Sequence, residues 1–234
     1  MISLSCYGWD DDAVLYAAVW VKEAGPEWVH CYGLNASDYQ AFYDEWHAKG
    51  FNPIIISSAF SPPQRFAAVF EKGVPSTVAK HNIDVGEFES RNDWAQKHNY
   101  ILKWFAADAD YSGHAAAIWV PNTTGVQWYF PGFQATADFQ KRYDVATAVG
   151  DGLAFVTVLA TLWYGSIWYR NSPQLNATYQ THHDLTPEGY QGLVDSLKGA
   201  GWYPCVVTGA TMVGDFGLDR KTRFAAMFRK VTHG

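Results

Sequence analysis

The sequence predicts an α+β tandem repeat domain in which five β-hairpins alternate with four helices, arranged as an arc or a closed ring. The first observation is a short phrase of aromatic and alanine residues that returns five times along the 234 residues, at Leu15–Trp20, Arg65–Phe70, His114–Trp119, Trp163–Trp168 and Arg223–Phe228. Its closing aromatics stand 50, 49, 49 and 60 residues apart. Self-similarity at such a period is typical of a fold built from one supersecondary unit that buries its apolar face against its neighbours.

The second observation is a helix signal between successive phrases. The first, second and fourth of these segments begin with a residue that can cap a helix, namely Asn35, Asp84 and Thr186. They end at a residue that tolerates a left-handed backbone, namely Gly50, Asn99 and Gly201. Apolar residues between these ends recur at helical spacing, which predicts amphipathic helices. The third helix is predicted to be longer, because Phe139 to Gly152 spans 13 residues where the corresponding spans are 11.

The third observation is a β-rich run that follows each helix and turns back into the repeated phrase. A short polar turn joins the two strands, which predicts a β-hairpin, and Ile2–Tyr7 supplies the leading strand of the first one. The segments between each phrase and the next helix are expected to be the longest irregular loops. We expect a single repeat domain, residues 1–234, with unit bounds near 1–52, 53–101, 102–153, 154–203 and 204–234.

Composition supports a large core and argues against some partners. Hydrophobic residues make up 48% of the chain and charged residues 17%. The net charge is −6 and no stripe of Lys or Arg is present, so nucleic acid and anionic membranes are not expected partners. The longest apolar stretch, near residues 153–168, contains polar residues and indicates two strands rather than a membrane-spanning helix. No secretory signal is recognised at the start, and the compartment stays open.

The three cysteines, Cys6, Cys31 and Cys205, have no metal-ligand spacing. Neither a metal nor another cofactor is expected. Cys6 and Cys205 occupy equivalent strands of the first and last units. A disulfide between them requires the array to close on itself, and free thiols in the core are the favoured interpretation.

Several phrases of the sequence are similar to one known repeat. They are Tyr39–Phe42, Ala48–Phe51, Pro53–Ser58, Arg65–Lys72, Leu185–Gln191 and Arg223–Phe228. Together they resemble the bacterial tandem repeat domain family, whose units are about 50 residues long, and the repeats in the N-terminal domain of fungal polyglycine hydrolases. The resemblance implies an α+β repeat fold. In those hydrolases a separate domain resembling β-lactamases carries the chemistry, and this chain has no S-x-x-K motif to match it, so the resemblance implies no catalytic residues.

Aromatic residues are more abundant than a core normally needs, with 11 Trp and 14 Tyr. Part of them is accounted for by packing inside the repeats. The aromatic residues that packing does not account for predict a non-catalytic recognition module, which binds a peptide, glycan or small apolar ligand through an aromatic-lined groove. The candidate ligand-binding residues are Trp20, Tyr32, Trp119, Trp128 and Trp168.

The competing function is an enzyme that uses acid/base catalysis without a covalent intermediate, such as an isomerase, lyase or cyclase. The candidate catalytic residues are Asp108, Asp110, His114, His182 and His183. Residues 108–113 also reproduce the first half of a calcium loop, but its twelfth position is Trp119 rather than Glu, which favours a polar hairpin turn. A third possibility is a structural fragment that works with a separate catalytic domain or partner chain.

Overall fold

The computed structural model describes residues 1–8, 14–59, 64–107, 114–159, 161–213 and 220–231. They form two compact units, Ser3–Gly125 and Val126–Gly234. Within the described ranges there are five helices and 15 strands in small antiparallel sheets, which confirms the α+β class. The predicted single domain, its unit bounds and the arc or ring stay predictions.

The first unit begins with an antiparallel pair of strands, β1 (Ser3–Tyr7) and β2 (Leu15–Val19). The repeated phrase lies in β2. Among the described residues, this sheet consists of these two strands. We call β1 and β2 the N-terminal hairpin.

Two modules of identical order follow in the first unit. A module consists of a pre-helix strand, a helix, a leading strand and an alanine strand, which carries the repeated phrase. The first comprises β3 (Trp28–Leu34), α1 (Ala36–Ala48), β4 (Phe51–Ala59) and β5 (Arg65–Lys72). The second comprises β6 (Val78–Ile83), α2 (Val85–Lys97), β7 (Tyr100–Ala107) and β8 (Ala115–Pro121). In both sheets the alanine strand is central and pairs antiparallel with the other two strands.

The third module opens the second unit, and it departs from the template before its helix. Its pre-helix strand is split in two, and both pieces pair with the alanine strand. The elements are β9 (Trp128–Tyr129), β10 (Gln134–Ala135), α3 (Thr136–Ala148), β11 (Gly152–Val158) and β12 (Trp163–Tyr169).

The longer third helix predicted from the sequence is wrong. Like α1 and α2, α3 has 13 residues, and it ends before Gly150, whose φ of 86° places it in the left-handed region. Gly152, which we took as the helix end, already belongs to β11. A Cβ atom there would clash with the backbone of Ser172, so close packing rather than helix termination explains this glycine.

The fourth module completes the second unit. A short helix, α4 (Pro173–Thr178), precedes it and was not among the four helices predicted. Its elements are β13 (Tyr179–Leu185), α5 (Pro187–Lys198), β14 (Trp202–Val213) and β15 (Arg220–Lys230), with β15 in the centre of the sheet.

The pre-helix strands replace the irregular loops that we predicted at these positions. The backbone of β3, β6 and β13 pairs with an alanine strand, and the pairing is interrupted shortly before the helix. At each interruption one residue adopts a positive φ, namely Gly33, Asn82 and Asp184. Such residues are typical of turns, which is why the sequence pattern indicated loops.

The helix of each module packs the aromatic ring of its fourth residue onto the alanine strand. In the first module Tyr39 stacks on Phe66, with ring centroids 5.3 Å apart, and both side chains are buried. Burying a ring of this size stabilises the fold by about 1.5–3 kcal/mol. The predicted caps fix where these helices begin. The side chains of Asn35, Asp84 and Thr186 accept hydrogen bonds from backbone N–H groups of the first helical turns.

No helix in the described residues is long and apolar enough to span a membrane.

Candidate functional site

The most distinctive surface of the first unit is a run of exposed aromatic rings. It consists of Tyr16, Trp20, Trp28, His30 and Tyr32, and we call it the aromatic strip. The exposed fractions are 60% for Trp20 and 65% for Tyr32, and 38% and 37% for Tyr16 and Trp28. Large rings are usually at least partly buried in folded proteins, so a patch of several exposed rings is unusual.

The rings of the aromatic strip form one continuous path. Trp20 lies 5.7 Å from Trp28, which lies 5.5 Å from His30, as measured between ring centroids. His30 stacks on Tyr32 at 6.1 Å, and Tyr32 meets Tyr16 edge-on at 6.0 Å. The alternation of β3 places its three members on one face of the strand.

Three of the predicted ligand-binding residues contribute to the interior instead. Trp119 and Trp168 are fully buried, and Trp128 is nearly so. Each of the first two donates an indole hydrogen bond within its own module, Trp119 to Asn92 Oδ1 at 2.9 Å and Trp168 to Ser166 Oγ at 2.8 Å. Their closed packing makes them part of the repeat cores, whereas Trp20 and Tyr32 are accessible to a ligand.

The predicted histidines of the second unit also pack against aromatic rings. The His183 ring lies 5.1 Å from Phe139 and 5.2 Å from Tyr164, and its Nε2 is 2.8 Å from Gln140 Oε1. His182 packs edge-on against Phe228 at 5.8 Å. Burial lowers the pKa of both imidazoles from the ordinary value.

Of the remaining candidate catalytic residues, His114 lies within the described residues. His114 belongs to the first compact unit, whereas His182 and His183 belong to the second. Asp108 and Asp110, with the proposed half calcium loop, lie outside the described residues. Among the residues that are described, no group of three or more His, Cys, Asp or Glu side chains is arranged to hold a metal ion.

A cavity of about 460 Å³ lies between α1 and β6. Tyr39, Gln40, Lys80 and His81 contribute to its lining. Tyr39 is almost completely buried, its hydroxyl has no hydrogen-bond partner among the described residues, and burial raises its pKa well above the ordinary value. The His81 ring lies 4.8 Å from Tyr39, and burial lowers the pKa of His81. The cavity therefore joins a neutral phenol and an imidazole that resists protonation.

A second cavity, of about 530 Å³, lies beside α3 in the divergent third module. Its lining includes Phe133, Lys141, Arg142 and the exposed Trp163. The lining thus combines two cations with two aromatic rings. Phe133 lies in the segment between β9 and β10, where the pre-helix strand is split.

The cysteines lie within the described residues as thiols. The Cys6 thiol donates a hydrogen bond to Ser57 Oγ at 3.4 Å. Burial raises the pKa of Cys31 to about 12 and that of Cys205 to about 11, so these two thiols are poor nucleophiles near neutral pH.

A family profile described as "polyglycine hydrolase-like, structural repeat" matches residues 25–73 and 176–231. Both stretches are similar to that structural repeat. The first contains the whole first module and the second contains β13 to β15, so the structural repeat coincides with the module defined by the sheets. This match confirms the resemblance inferred from the sequence, and it concerns a structural repeat rather than a catalytic domain.

Sequence reasoning identified two of the five residues in the aromatic strip and missed Tyr16, Trp28 and His30. Their signal was present in the sequence. Trp28, His30 and Tyr32 alternate with other residues as on one face of a strand, and Tyr16 belongs to the first repeated phrase. It was not recognised because the segment around residues 28–34 was interpreted as a loop.

Proposed function

We propose that the protein is a non-catalytic recognition module and that the aromatic strip is its ligand-binding surface. The observation that carries this proposal is the continuous path of exposed rings beside the open edge of β2. Trp, Tyr and His rings offer flat apolar area together with a polar group, which suits recognition surfaces. The strip follows two strands rather than enclosing a cavity, so an elongated ligand fits it better than a compact one.

Of the ligand classes considered, a polypeptide segment has the strongest support. Within the described residues β2 pairs with β1 and with no other strand, so one of its edges presents unpaired backbone N–H and C=O groups. An extended peptide can pair with such an edge while its side chains contact the neighbouring rings. A glycan would use the rings, but its hydroxyl groups lack the regular alternation of donors and acceptors that matches a strand edge.

A selection experiment tests this function. A phage-displayed library of random peptides is selected on the full chain, and the recovered peptides are measured against the wild type and against Trp20→Ala and Tyr32→Ala. Removal of a central ring is expected to weaken binding at least about tenfold, as for residues that dominate other interfaces. Trp163→Ala is the matched control, because Trp163 is also an exposed tryptophan but lies in the second unit.

Two results would overturn the polypeptide assignment. One is a selection in which every recovered peptide binds Trp20→Ala and Tyr32→Ala as tightly as the wild type. The other is binding on a glycan array that depends on the aromatic strip when no peptide binding does, which would assign the strip to glycans.

A further inference from the structure

The alanine strands inside the modules show what normally covers the surface that β2 exposes. In β5, Phe66, Ala68 and Phe70 share one face, and each has an exposed fraction of 0%. Two elements stand beside them. The pre-helix strand β3 pairs with β5, and Tyr39 of α1 lies 5.3 Å from Phe66 and 6.4 Å from Phe70.

The second unit repeats this arrangement with other residues. In the fourth module β13 pairs with β15, and Tyr190 of α5 lies 5.6 Å from Phe224 and 6.5 Å from Phe228. In the third module Phe139 stacks on Tyr164 at 5.1 Å. The ring always comes from the fourth residue of the helix, so the covering element is a strand followed by a helix with an aromatic at a fixed position.

A residue from the following module, which we call the closing residue, contacts both the helix ring and the aromatic of the alanine strand. His81 of β6 lies 4.8 Å from Tyr39 and 5.4 Å from Phe66. His183 of β13 holds the same position, 5.1 Å from Phe139 and 5.2 Å from Tyr164. The helix ring, the aromatic of the alanine strand and the closing residue are therefore in mutual contact, with all centroid distances between 4.8 and 5.4 Å.

The N-terminal hairpin has an aromatic on its alanine strand and a closing residue, but no helix ring contacts them among the described residues. Tyr32 stands seven residues before Tyr39, as His81 stands before Phe88 and His183 before Tyr190. It meets Tyr16 edge-on, with 77° between the ring planes, where the corresponding angles are 81° for His81 with Phe66 and 67° for His183 with Tyr164. The face of β2 formed by Tyr16, Ala18 and Trp20 is exposed.

We propose that this face of β2 binds a strand–helix segment of the structural-repeat type supplied by another polypeptide segment. The strand runs antiparallel to β2, and the fourth residue of the helix is a tyrosine or phenylalanine that packs against Tyr16, Trp20 and Tyr32. This inference rests on the proposed function and specifies its ligand. The interface continues the packing that the chain already forms in its own modules.

The backbone and side chains of β2 suit this occupant. Ala18 is exposed, as is expected where a missing element would pack closely, because a small side chain leaves room for a helix. The pre-helix strands β6 and β13 have six and seven residues, which matches the five residues of β2 together with Trp20. An isolated peptide that contains one such strand and one such helix forms only a marginal helix in water. Binding to β2 is therefore expected to increase its helix content.

The chain itself supplies the probe. A synthetic peptide of residues 179–198 contains β13, the capping residue Thr186 and α5, and it has no cysteine. Its binding to the full chain is measured by titration calorimetry, and its helix content by circular dichroism. We expect binding with a gain of helix signal. Tyr190→Ser in the peptide and Tyr16→Arg in the full chain should each weaken binding at least about tenfold.

Two controls separate binding at β2 from other effects. Because Tyr16→Arg places a charge on the edge strand β2, Trp20→Ala serves as a second variant of the same face. Trp163→Ala, which changes an exposed tryptophan of the second unit, is expected to bind the peptide like the wild type. Peptides that are N-methylated at alternate strand residues test backbone pairing. Methylation in one register should abolish binding, and methylation in the other should have little effect, because alternate N–H groups of a paired edge strand face away from the partner.

The outcomes distinguish this inference from the proposed function. Binding that is insensitive to Tyr190→Ser, to Tyr16→Arg or to both registers of N-methylation would overturn the inference. If library-selected peptides bind the aromatic strip while the 179–198 peptide does not, the recognition function stands and the strand–helix ligand is wrong. If neither binds, both proposals are wrong.

Discussion

The N-terminal hairpin and the hairpin of the first module carry nearly the same phrase in different surroundings. Residues 16–20 read Tyr-Ala-Ala-Val-Trp and residues 66–70 read Phe-Ala-Ala-Val-Phe, and both strands pair antiparallel with a leading strand. Yet all five residues of the second phrase are buried, whereas only Val19 of the first is. The difference lies in the pre-helix strand and helix, which cover β5 and have no counterpart over β2 in the described residues.

This contrast shows that the phrase is buried by its neighbours and not by its own hydrophobicity. Pairing with the leading strand satisfies only one edge and leaves the outer face accessible. The helix ring then removes the remaining apolar surface from water, which stabilises the fold in proportion to the area covered. Because β2 has no such covering element among the described residues, this free energy remains available for binding a ligand.

The largest expected effect comes from truncating the equivalent ring in each hairpin. Phe66→Ala leaves a cavity under α1 and should lower the free energy of unfolding by about 3–5 kcal/mol. Tyr16→Ala, at the matching exposed position, should lower it by about 1 kcal/mol or less. Urea denaturation followed by circular dichroism measures both. Equal losses of unfolding free energy in the two variants would show that β2 is covered in solution and would contradict the contrast between the two hairpins.

A smaller difference is expected when the central alanine of each phrase is enlarged. Ala68→Leu forces three carbon atoms into a packed face and should cost about 1–3 kcal/mol. Ala18→Leu adds the same atoms to an exposed face and should change stability by no more than about 0.5 kcal/mol. The thermal midpoints of the two variants and the wild type provide the measurement. A marked loss in Ala18→Leu would indicate an unrecognised neighbour of β2.

The smallest expected effect is a pH dependence that distinguishes the closing residues His81 and His183 from Tyr32. Burial is the largest cause that lowers the pKa of both histidines in the folded state. At His81 a backbone hydrogen bond at Ala36 opposes this shift of the pKa and Lys80 adds to it, and at His183 Asp184 opposes it and His182 adds to it. Between the folded and unfolded pKa values the unfolded chain binds more protons, so stability is full above about 6.5 and falls as the pH decreases.

The double variant His81→Tyr/His183→Tyr gives both sites the residue found at position 32. It should lose less stability than the wild type between pH 7.5 and 5.5, as measured by denaturant titration at each pH. His47→Gln is the control, because His47 is an exposed histidine on α1. An unchanged pH dependence in the double variant would contradict the assignment of these two imidazoles.

Much of the fold could be predicted because its signals are local. The caps at Asn35, Asp84 and Thr186 and the helix ends at Gly50, Asn99 and Gly201 are set by backbone geometry within a few residues, and the structure confirms them. The pre-helix strands could not be recognised in the same way. Their pairing partner lies about 40 residues further along the chain, as for Trp28 with Glu71, and a left-handed residue interrupts each strand.

The candidate site was predicted only in part, for a related reason. A tryptophan at the end of the repeated phrase has the same sequence signal whether it is exposed, as Trp20 is, or fully buried, as Trp119 and Trp168 are. The outcome depends on a helix that packs from a different part of the chain. Similarly, His183 has the residue type of an acid/base group, and only the structure shows that its ring contacts Phe139 and Tyr164.

The sequence by itself determined the repeat, three of its helices with their ends, the α+β class and the resemblance of the repeats to a known family, because periodicity and capping are properties of neighbouring residues. The tertiary structure decided which strands form each sheet, where the third helix ends and which copies of the phrase are covered. Burial results from packing between segments that are distant in sequence. For that reason the exposed aromatic strip, which is the basis of the proposed function, became visible only when the alanine strands were compared in three dimensions.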